Sequence, residues 1–231
     1  MISDLLPGAG AGTEARPKPA RGVPDATVAR LPTYHEALGR LFDGRVEVVS
    51  STALAEAAGV SPSQLRKDLS CLGTYGTRGV GYDVARLQRQ IAVHIGAASE
   101  WPVVIVGVGH LGTALANYAG FAARGFRVVA LVDPSPALVG TTVTGLVVSD
   151  LTDLEAVVRN TGAVIAVVAT PADAAQAVTD RLVYQGVTSI LNFASTALAV
   201  PEGVNVRKVD LGQELAILAF HEQRKVEEGL S

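Results

Sequence analysis

A short apolar run that ends at a glycine-rich turn constrains this chain more than any other feature. Residues 103–106 are continuously apolar, as in a strand that is buried on both faces of a parallel sheet. Gly107, Gly109 and Gly112 follow at once in the spacing G-x-G-x-x-G. After a strand, this spacing predicts a tight turn into a helix whose N-terminus accepts a pyrophosphate. We therefore expect a dinucleotide-binding domain.

Each glycine of this turn has its own predicted purpose. Gly107 allows the tight turn, Gly109 allows the backbone to approach a pyrophosphate, and Gly112 allows the helix to pack closely on the strand. A glycine-rich strand-to-helix turn without a ligand is the alternative. The predicted cofactor contacts of the turn are Gly107, Val108, Gly109, His110, Leu111 and Gly112.

An acidic residue follows the second predicted strand of this domain. Asp133 stands 21 residues after Gly112, where a carboxylate can accept hydrogen bonds from the adenine ribose hydroxyls. It would also repel a 2′-phosphate, and no arginine follows it before Arg159. The sequence therefore favours NAD(H) over NADP(H), unless Asp133 only caps the loop before Pro134.

Two further pairs of residues follow predicted strands and are expected at the ligand crevice. They are Thr170 and Pro171 after one strand, and Asn192 and Phe193 after the next. In open α/β sheets the carboxyl ends of the strands line the crevice, so we expect these residues beside the nicotinamide half. An ordinary strand-to-helix turn is an equally good interpretation of the first pair.

The second half of the chain alternates between strand and helix patterns, which predicts a doubly wound Rossmann sheet. Further strands are expected near residues 127–132, 143–148, 163–168, 189–191 and 204–209, and helices at 113–123, 153–160, 172–185 and 211–228. The predicted fold class is α/β, with an N-terminal winged helix-turn-helix, a Rossmann sheet and a C-terminal helix. The predicted divisions are a tail at 1–24, a winged helix at 25–98, a Rossmann domain at 99–210 and the last helix at 211–231.

The first half of the chain predicts a DNA-binding domain. Helices are expected at 28–42 and 52–58, with Ser51 as the N-cap of the second, and a third begins at Ser61. Pro62 suits the first helical position, and Gln64 could complete a capping box. The short turn between the last two helices makes a helix-turn-helix, the glycine-rich residues 73–82 favour a two-stranded wing, and a fourth helix is expected at 84–95.

The third helix carries the side chains that would read DNA. Gln can pair with adenine and Arg with guanine, whereas Lys can bind a phosphate. An arginine at the tip of the wing suits a narrow minor groove. The alternative is that these are solvated surface cations. The predicted DNA contacts are Ser63, Gln64, Arg66, Lys67, Arg78 and Tyr82.

Charge and composition limit the remaining possibilities. The chain carries a net charge of −3, with +2 in residues 1–98 and −5 in residues 99–231, which permits a DNA-facing first half. A single cysteine, Cys71, allows no intramolecular disulfide, and no apolar run is long enough for a membrane span. The histidines lack the spacing of metal ligands. We expect a cytoplasmic protein without a metal.

Four sequence strings together resemble the Rex family of redox-sensing transcriptional repressors. They are Gln64-Leu-Arg-Lys-Asp-Leu-Ser70, Tyr75-Gly-Thr-Arg-Gly-Val-Gly-Tyr82, the glycine turn, and Leu191-Asn-Phe-Ala194. The resemblance implies a homodimer in which each C-terminal helix is swapped onto its partner. It also implies that operator DNA with an inverted repeat is released when NADH binds, with NAD⁺ as the weaker competitor.

The resemblance also assigns roles to single positions. Tyr118 matches the family's redox-linked tyrosine, and Asp210 matches the carboxylate that meets it from the other subunit. His110, Leu211 and Cys71 depart from the residues that the family commonly has there.

Two other functions compete with a repressor. An NAD-dependent oxidoreductase needs an acid–base group and a substrate domain, but the chain has no Tyr-x-x-x-Lys pair and only one helix after the last predicted strand. A dimeric NAD-binding scaffold would leave the basic, glycine-rich wing without a purpose. We therefore expect a regulator, not an enzyme, with NADH as the preferred effector.

Overall fold

The computed structural model describes residues 23–73, 76, 80–97 and 99–227. The chain divides into two compact units, Met1–Ala98 and Ser99–Ser231. Residues 1–22 of the tail predicted at 1–24 lie outside the described residues. None of the helices in the described ranges is long and apolar enough to cross a membrane.

Five helices and a small sheet make up the described part of the first unit. The helices are α1 (Asp25–Val28), α2 (Leu31–Asp43), α3 (Ser51–Ala57), α4 (Pro62–Leu72) and α5 (Val84–His94). Strands β1 (Val48–Val49) and β2 (Tyr82–Asp83) pair antiparallel. The helices enclose one apolar core, in which Tyr34, Leu38, Leu54, Leu65 and Ile91 are fully buried.

Side chains of Ser50, Ser61 and Asp83 cap the N-termini of α3, α4 and α5, and one of these caps differs from its prediction. Ser61 caps α4 by accepting from the Gln64 N–H at 3.2 Å, and Asp83 caps α5 in the same way. The cap of α3 is Ser50, which accepts from the Ala53 N–H, so the predicted Ser51 cap is wrong by one residue. Two adjacent serines offer equivalent side chains, and the extended backbone of Ser50 selects it.

The predicted wing lies mostly outside the described residues, since 74, 75 and 77–79 are not among them. Its last residue, Tyr82, pairs with Val49 in β1, a strand that the sequence analysis missed. Gly81 adopts φ +111, and a side chain there would lie 2.5 Å from the Val49 carbonyl oxygen. Glycine is therefore required where the chain enters β2.

A seven-stranded sheet forms the centre of the second unit. Its strands are β3 (Trp101–Val106), β4 (Phe126–Asp133), β5 (Thr142–Val143), β6 (Leu146–Asp150), β7 (Ile165–Val168), β8 (Ser189–Asn192) and β9 (Asn205–Lys208). The order is β5-β6-β4-β3-β7-β8-β9, and all neighbours are parallel except β5 and β6. This is the doubly wound sheet that the sequence predicted.

Helices cover both faces of this sheet, and a longer helix follows the last strand. The helices of this unit are α6 (His110–Ala116), α7 (Ala119–Ala122), α8 (Leu154–Thr161), α9 (Ala172–Tyr184) and α10 (Leu211–Glu227). Helices α8 and α9 pack on one face, where alternate strand residues such as Val104 and Val168 are buried. Helix α6 packs on the opposite face, against Val103 and Ile105.

Two elements of this unit differ from their predictions. The helix predicted at 113–123 is broken into α6 and α7, because Asn117 is the C-cap of α6 and Tyr118 after it has an extended backbone (φ −75, ψ 102). The strand predicted at 143–148 is a hairpin, β5 to β6. Thr144 (φ 52) and Gly145 (φ 80) both have positive φ, as a two-residue type I′ turn requires.

Candidate functional site

The glycine turn lies at the carboxyl end of β3, next to the carboxyl end of β7. Gly107 has φ +94, and a Cβ there would lie 2.6 Å from the Ala169 carbonyl oxygen. A Cβ on Gly112 would lie 1.8 Å from the Gly107 carbonyl oxygen, so this helix packs directly on the turn. A Cβ on Gly109, in contrast, would meet open space. Gly109 is therefore free to face a ligand, whereas the other two glycines serve the fold.

Asp133 connects the end of β4 to the glycine turn. Its side chain is buried, and its Oδ2 accepts from the Val108 N–H at 2.6 Å. Its Oδ1 accepts from the Ser135 N–H at 2.8 Å. The carboxylate therefore holds both loops in place, and each oxygen retains a lone pair for a further donor. The loop cap that the sequence left open as an alternative is present, and it does not exclude a ribose contact.

A hydroxyl group without a partner lies beside this turn. Thr170 follows β7 and is 8% exposed, and its Oγ1 is buried with no hydrogen-bond partner in the described structure. Pro171 is the N-cap residue of α9, so it precedes the first helical position. A buried hydroxyl without a partner is uncommon in folded proteins. Thr170 is therefore the residue of this pair that can offer a ligand an unused hydrogen bond.

Asn192 and Phe193 lie at the carboxyl end of β8 with different surroundings. Asn192 is fully buried, its Nδ2 donates to the Thr196 carbonyl, and its Oδ1 accepts from the Ala194 N–H. Phe193 is half-buried against the core on the α6 side of the sheet. Asn192 thus orders the loop that follows the strand, while Phe193 supplies an apolar wall near its start.

The remaining residues of the turn divide by exposure. Val108 is buried, and its N–H donates a hydrogen bond to the Asp133 carboxylate. His110 and Leu111, in the first turn of α6, are both exposed. The structure therefore leaves the imidazole and the leucine side chain on the solvent side of the turn.

Tyr118 and Asp210 lie at element boundaries. Tyr118 precedes α7 in an extended conformation instead of lying within a helix, is 53% exposed, and contacts Phe121 edge to face. Asp210 precedes α10, where its Oδ2 pairs with the Lys208 Nζ at 3.0 Å and its Oδ1 accepts from the Gln213 N–H. The lysine and this N–H hold the pKa of Asp210 below its ordinary value. Among the described residues of one chain, no hydrogen bond joins Tyr118 to Asp210.

Helices α3 and α4 form a helix-turn-helix, with Gly59 at φ +67 in the turn. Leu65 and Leu69 of α4 are buried in the core. Ser63, Arg66 and Lys67 are at least partly exposed, and the Arg66 Nη1 donates to the Ser51 Oγ at 3.2 Å. Three of the predicted DNA contacts therefore share the solvent side of one helix. Arg78 lies outside the described residues.

The side chain of Gln64 does not complete the predicted capping box. Its Nε2 donates to the Oδ1 of Asp68, one turn further along α4, at 3.0 Å. Asp68 is 1% exposed and also accepts from Thr27, Arg30 and Tyr34. Sequence analysis missed this cluster, because Thr27, Arg30 and Tyr34 each precede Asp68 by more than 30 residues and the sequence does not show that Asp68 is buried.

The charged groups of this cluster perturb one another. Burial raises the pKa of Asp68, but hydrogen bonds from Arg30, Tyr34, Thr27 and Gln64 outweigh burial and hold it well below its usual range. Burial, together with the bond to Asp68, raises the pKa of Tyr34 to about 12. Asp68 is therefore a carboxylate, and Tyr34 a neutral phenol, at every physiological pH.

Comparisons with known proteins decide the family. A family model described as a CoA binding domain matches residues 98–196, and one described as a putative DNA-binding protein N-terminus matches residues 22–70. A redox-sensing transcriptional repressor Rex from Streptomyces griseus is 60% identical over 209 residues, which cover 90% of this chain and 83% of the relative. The chain belongs to the Rex family. The Rex protein of Roseiflexus sp. is 44% identical over 81% of this chain and 85% of its own length.

Solved structures of Rex proteins have the same fold. RSP, a Rex-family repressor in complex with β-NAD⁺ and operator DNA, superposes with a TM-score of 0.83 at 33% identity, over 90% of this chain and 96% of RSP. RSP in complex with β-NADH gives a TM-score of 0.81 at 32% identity, over 90% and 99%. These matches confirm the predicted Rex resemblance and the predicted fold class.

Proposed function

We propose that this Rex protein is a transcriptional repressor that binds operator DNA when NADH is low and releases it when NADH binds. The observation that carries the proposal is the glycine turn beside the unpartnered Thr170 hydroxyl, in a chain that also carries a helix-turn-helix. RSP, which shares this fold, is complexed with β-NAD⁺ and operator DNA in one structure and with β-NADH in another. In this proposal NADH is a signal and is not consumed, and the protein acts in the cytoplasm.

Several features of the second unit support binding of a dinucleotide. The open space at Gly109 and the N–H groups at the start of α6 suit a pyrophosphate. Thr170 offers its unused hydroxyl at the carboxyl end of β7, and Phe193 an apolar surface at the end of β8. Here the cofactor supplies a nicotinamide ring that is positively charged in NAD⁺ and neutral in NADH. The chain binds and orients the dinucleotide, and we assign no hydride transfer to it.

Asp133 supports a preference for NADH over NADPH. Its carboxylate is fixed by the Val108 and Ser135 N–H groups at the end of β4, where the adenine ribose binds in Rossmann folds. A fixed negative charge accepts hydrogen bonds from ribose hydroxyls and repels a 2′-phosphate.

We assign DNA contact to the solvent side of α4 and to the wing. Arg66 and Lys67 lie early on this helix, where base edges and phosphates are met in helix-turn-helix complexes. Ser63 precedes them on the same side. Arg78 and Tyr82 belong to the wing by sequence, and Tyr82 is tied to the first unit by its pairing with Val49.

The C-terminal helix supports a homodimer with swapped helices. All described side chains of α10, residues 211–225, are exposed, including Leu211, Leu215, Ile217, Leu218 and Phe220. A helix with this many exposed apolar side chains needs a partner surface. In a swapped dimer, Asp210 would lie beside the partner's site, where the family resemblance pairs it with the redox-linked tyrosine, here Tyr118.

The coupling between the two ligands follows from linkage. If NADH and operator DNA favour different arrangements of the dimer, each weakens the binding of the other by the same factor. Coupling of this kind is typically about 1–3 kcal/mol per site, so two sites acting together can give a nearly complete switch.

A gel-shift titration tests the proposal. The wild-type protein is used to select an inverted-repeat duplex from a randomised pool, and the complex is then titrated with NADH, NAD⁺ and NADPH. We expect NADH to release the duplex at the lowest concentration, NAD⁺ at a higher one, and NADPH least effectively. A complex that survives saturating NADH would overturn the sensor function, and a pool without enrichment would overturn DNA binding.

A further inference from the structure

The buried cluster around Asp68 joins the helix that we assign to DNA with the start of the chain's first unit. The Thr27 hydroxyl, the Arg30 Nη2 and the Gln64 Nε2 donate to its Oδ1 at 2.8, 2.8 and 3.0 Å. The Arg30 Nε and the Tyr34 hydroxyl donate to its Oδ2 at 2.6 and 2.7 Å. A carboxylate has about four lone-pair sites, so these donors saturate Asp68.

Thr27, Arg30 and Tyr34 hold the Asp68 carboxylate in place. The carboxylate in turn holds the side chain of Gln64. Arg30 binds both oxygens, which sets the plane of the carboxylate. Tyr34 and Asp68 are almost fully buried, so water does not compete for these bonds. Gln64, by contrast, is half-buried and adjoins the exposed Ser63 on α4.

The chemistry of a carboxylate dictates which way the Gln64 amide faces. A charged carboxylate only accepts hydrogen bonds, so it attracts the amide nitrogen and repels the amide oxygen. The Nε2 therefore lies at Asp68, and no described residue donates to the Gln64 Oε1. Without Asp68, the Gln64 amide could adopt either of two flipped orientations. The bond to Asp68 gives it one orientation before the protein binds DNA.

We propose that Asp68 is a positioning residue for sequence readout, because it holds the Gln64 amide in the single orientation that α4 presents to a base pair. Asp68 itself touches no DNA and acts through Gln64. The inference rests on the proposed function, since it concerns how this protein selects its operator.

Asp68→Asn and Gln64→Leu test the inference together. The amide that Asp68→Asn introduces can donate as well as accept, which frees the Gln64 amide to turn, whereas Gln64→Leu removes that amide and leaves the other donors on Asp68. Each variant selects duplexes from the same randomised pool as the wild type. We expect both to lose roughly 5- to 100-fold of discrimination at the same base pair, the range that one bidentate side-chain contact supplies.

Tyr34→Phe is the matched control. It removes one donor from the same carboxylate, but from Oδ2, the oxygen that does not hold Gln64. Its base preferences should equal those of the wild type even if its melting temperature falls. Asp68→Asn overturns the inference if it keeps the wild-type preferences, or if it weakens binding equally to all duplexes while Gln64→Leu alters one position.

An NMR measurement on the wild type keeps the test decisive if Asp68→Asn does not fold. The Gln64 side-chain amide protons should be well dispersed and as rigid as the backbone in the free full-length protein. A freely averaging Gln64 amide would overturn the inference. Failure of the proposed function is distinguishable, because then the wild type itself enriches no sequence.

Discussion

At the scale of single residues, Asp133 combines an observed loop cap with the ribose contact that we propose, which the sequence presents as alternatives. Its carboxylate holds the backbone of the glycine turn through Val108 and of its own loop through Ser135. The same group stands where a Rossmann fold binds the adenine ribose. The two caps fix the carboxylate, so in the proposed complex the ribose would meet an acceptor that is already in place.

Replacing Asp133 with alanine should weaken NADH binding by about 10- to 100-fold, because hydrogen bonds to a charged group contribute about 1.5–3 kcal/mol. NADPH binding should fall less, so the preference for NADH narrows. Fluorescence titration with both nucleotides measures this. Asp150→Ala is the control, since Asp150 caps the loop after the neighbouring parallel strand in a similar way. Unchanged NADH affinity in Asp133→Ala would remove the assigned role.

Residue-scale predictions from the sequence succeed where the signal is local. The Ser61 cap and the position of Asp133 at the end of β4 are read directly along the chain. The orientation of Gln64 is not, because a local capping bond competes with a carboxylate whose position depends on Arg30 and Tyr34, far away in sequence.

At the scale of elements, an ion pair joins α8 and α9, the two helices that cover one face of the Rossmann sheet. The Nε and Nη2 of Arg181 on α9 donate to both carboxylate oxygens of Glu155 on α8, at 2.6 and 2.7 Å. The same guanidinium reaches the Leu151 carbonyl at 2.8 Å. The hydrogen bonds from Arg181 lower the pKa of Glu155 to about 2.

Glu155→Gln should therefore lower the melting temperature modestly at neutral pH. Because the pKa of Glu155 is lower in the folded state than its ordinary 4.5, the stabilisation is complete above pH 4.5 and disappears as the pH falls towards 2. The difference between the melting temperatures of the two proteins should therefore shrink as the pH falls from 7 to 3. A difference that stays constant over this range would show that the charge is irrelevant.

Strand and helix patterns identified most elements, and each error has a physical cause. Helix α6 ends early because the backbone leaves the helical conformation at Tyr118, directly after the C-cap residue Asn117, and no hydrophobic periodicity reveals this. Strand β1 is missed because two residues are too few for a pattern, and its partner β2 follows more than 30 residues later.

At the scale of the whole molecule, helix α10 exposes five large apolar side chains in one chain, which are Leu211, Leu215, Ile217, Leu218 and Phe220. Leu215 and Leu218 are 66% and 60% exposed. Burying such a side chain contributes about 1.5–3 kcal/mol, so the five large apolar residues of the helix can stabilise a dimer substantially.

The double variant Leu215→Lys/Leu218→Lys should shift the protein from dimer to monomer in sedimentation velocity and weaken binding to an inverted repeat. Tyr184→Lys is the control, because Tyr184 is 86% exposed on α9 and lies outside the proposed interface. If the double variant sediments as the wild type does, the helix does not mediate the dimer.

The three glycines of the turn have different surroundings, so mutations at them should have different effects on the protein. A mutation at Gly112 or Gly107 places a Cβ against a backbone carbonyl oxygen. It should therefore abolish folding, and the response to NADH with it. A mutation at Gly109 meets no protein atom, and it can leave a folded, DNA-competent regulator that no longer responds to NADH. Selection for permanent repression should therefore recover substitutions at Gly109 and none at Gly112, and recovery of folded Gly112 variants would contradict the contact described here.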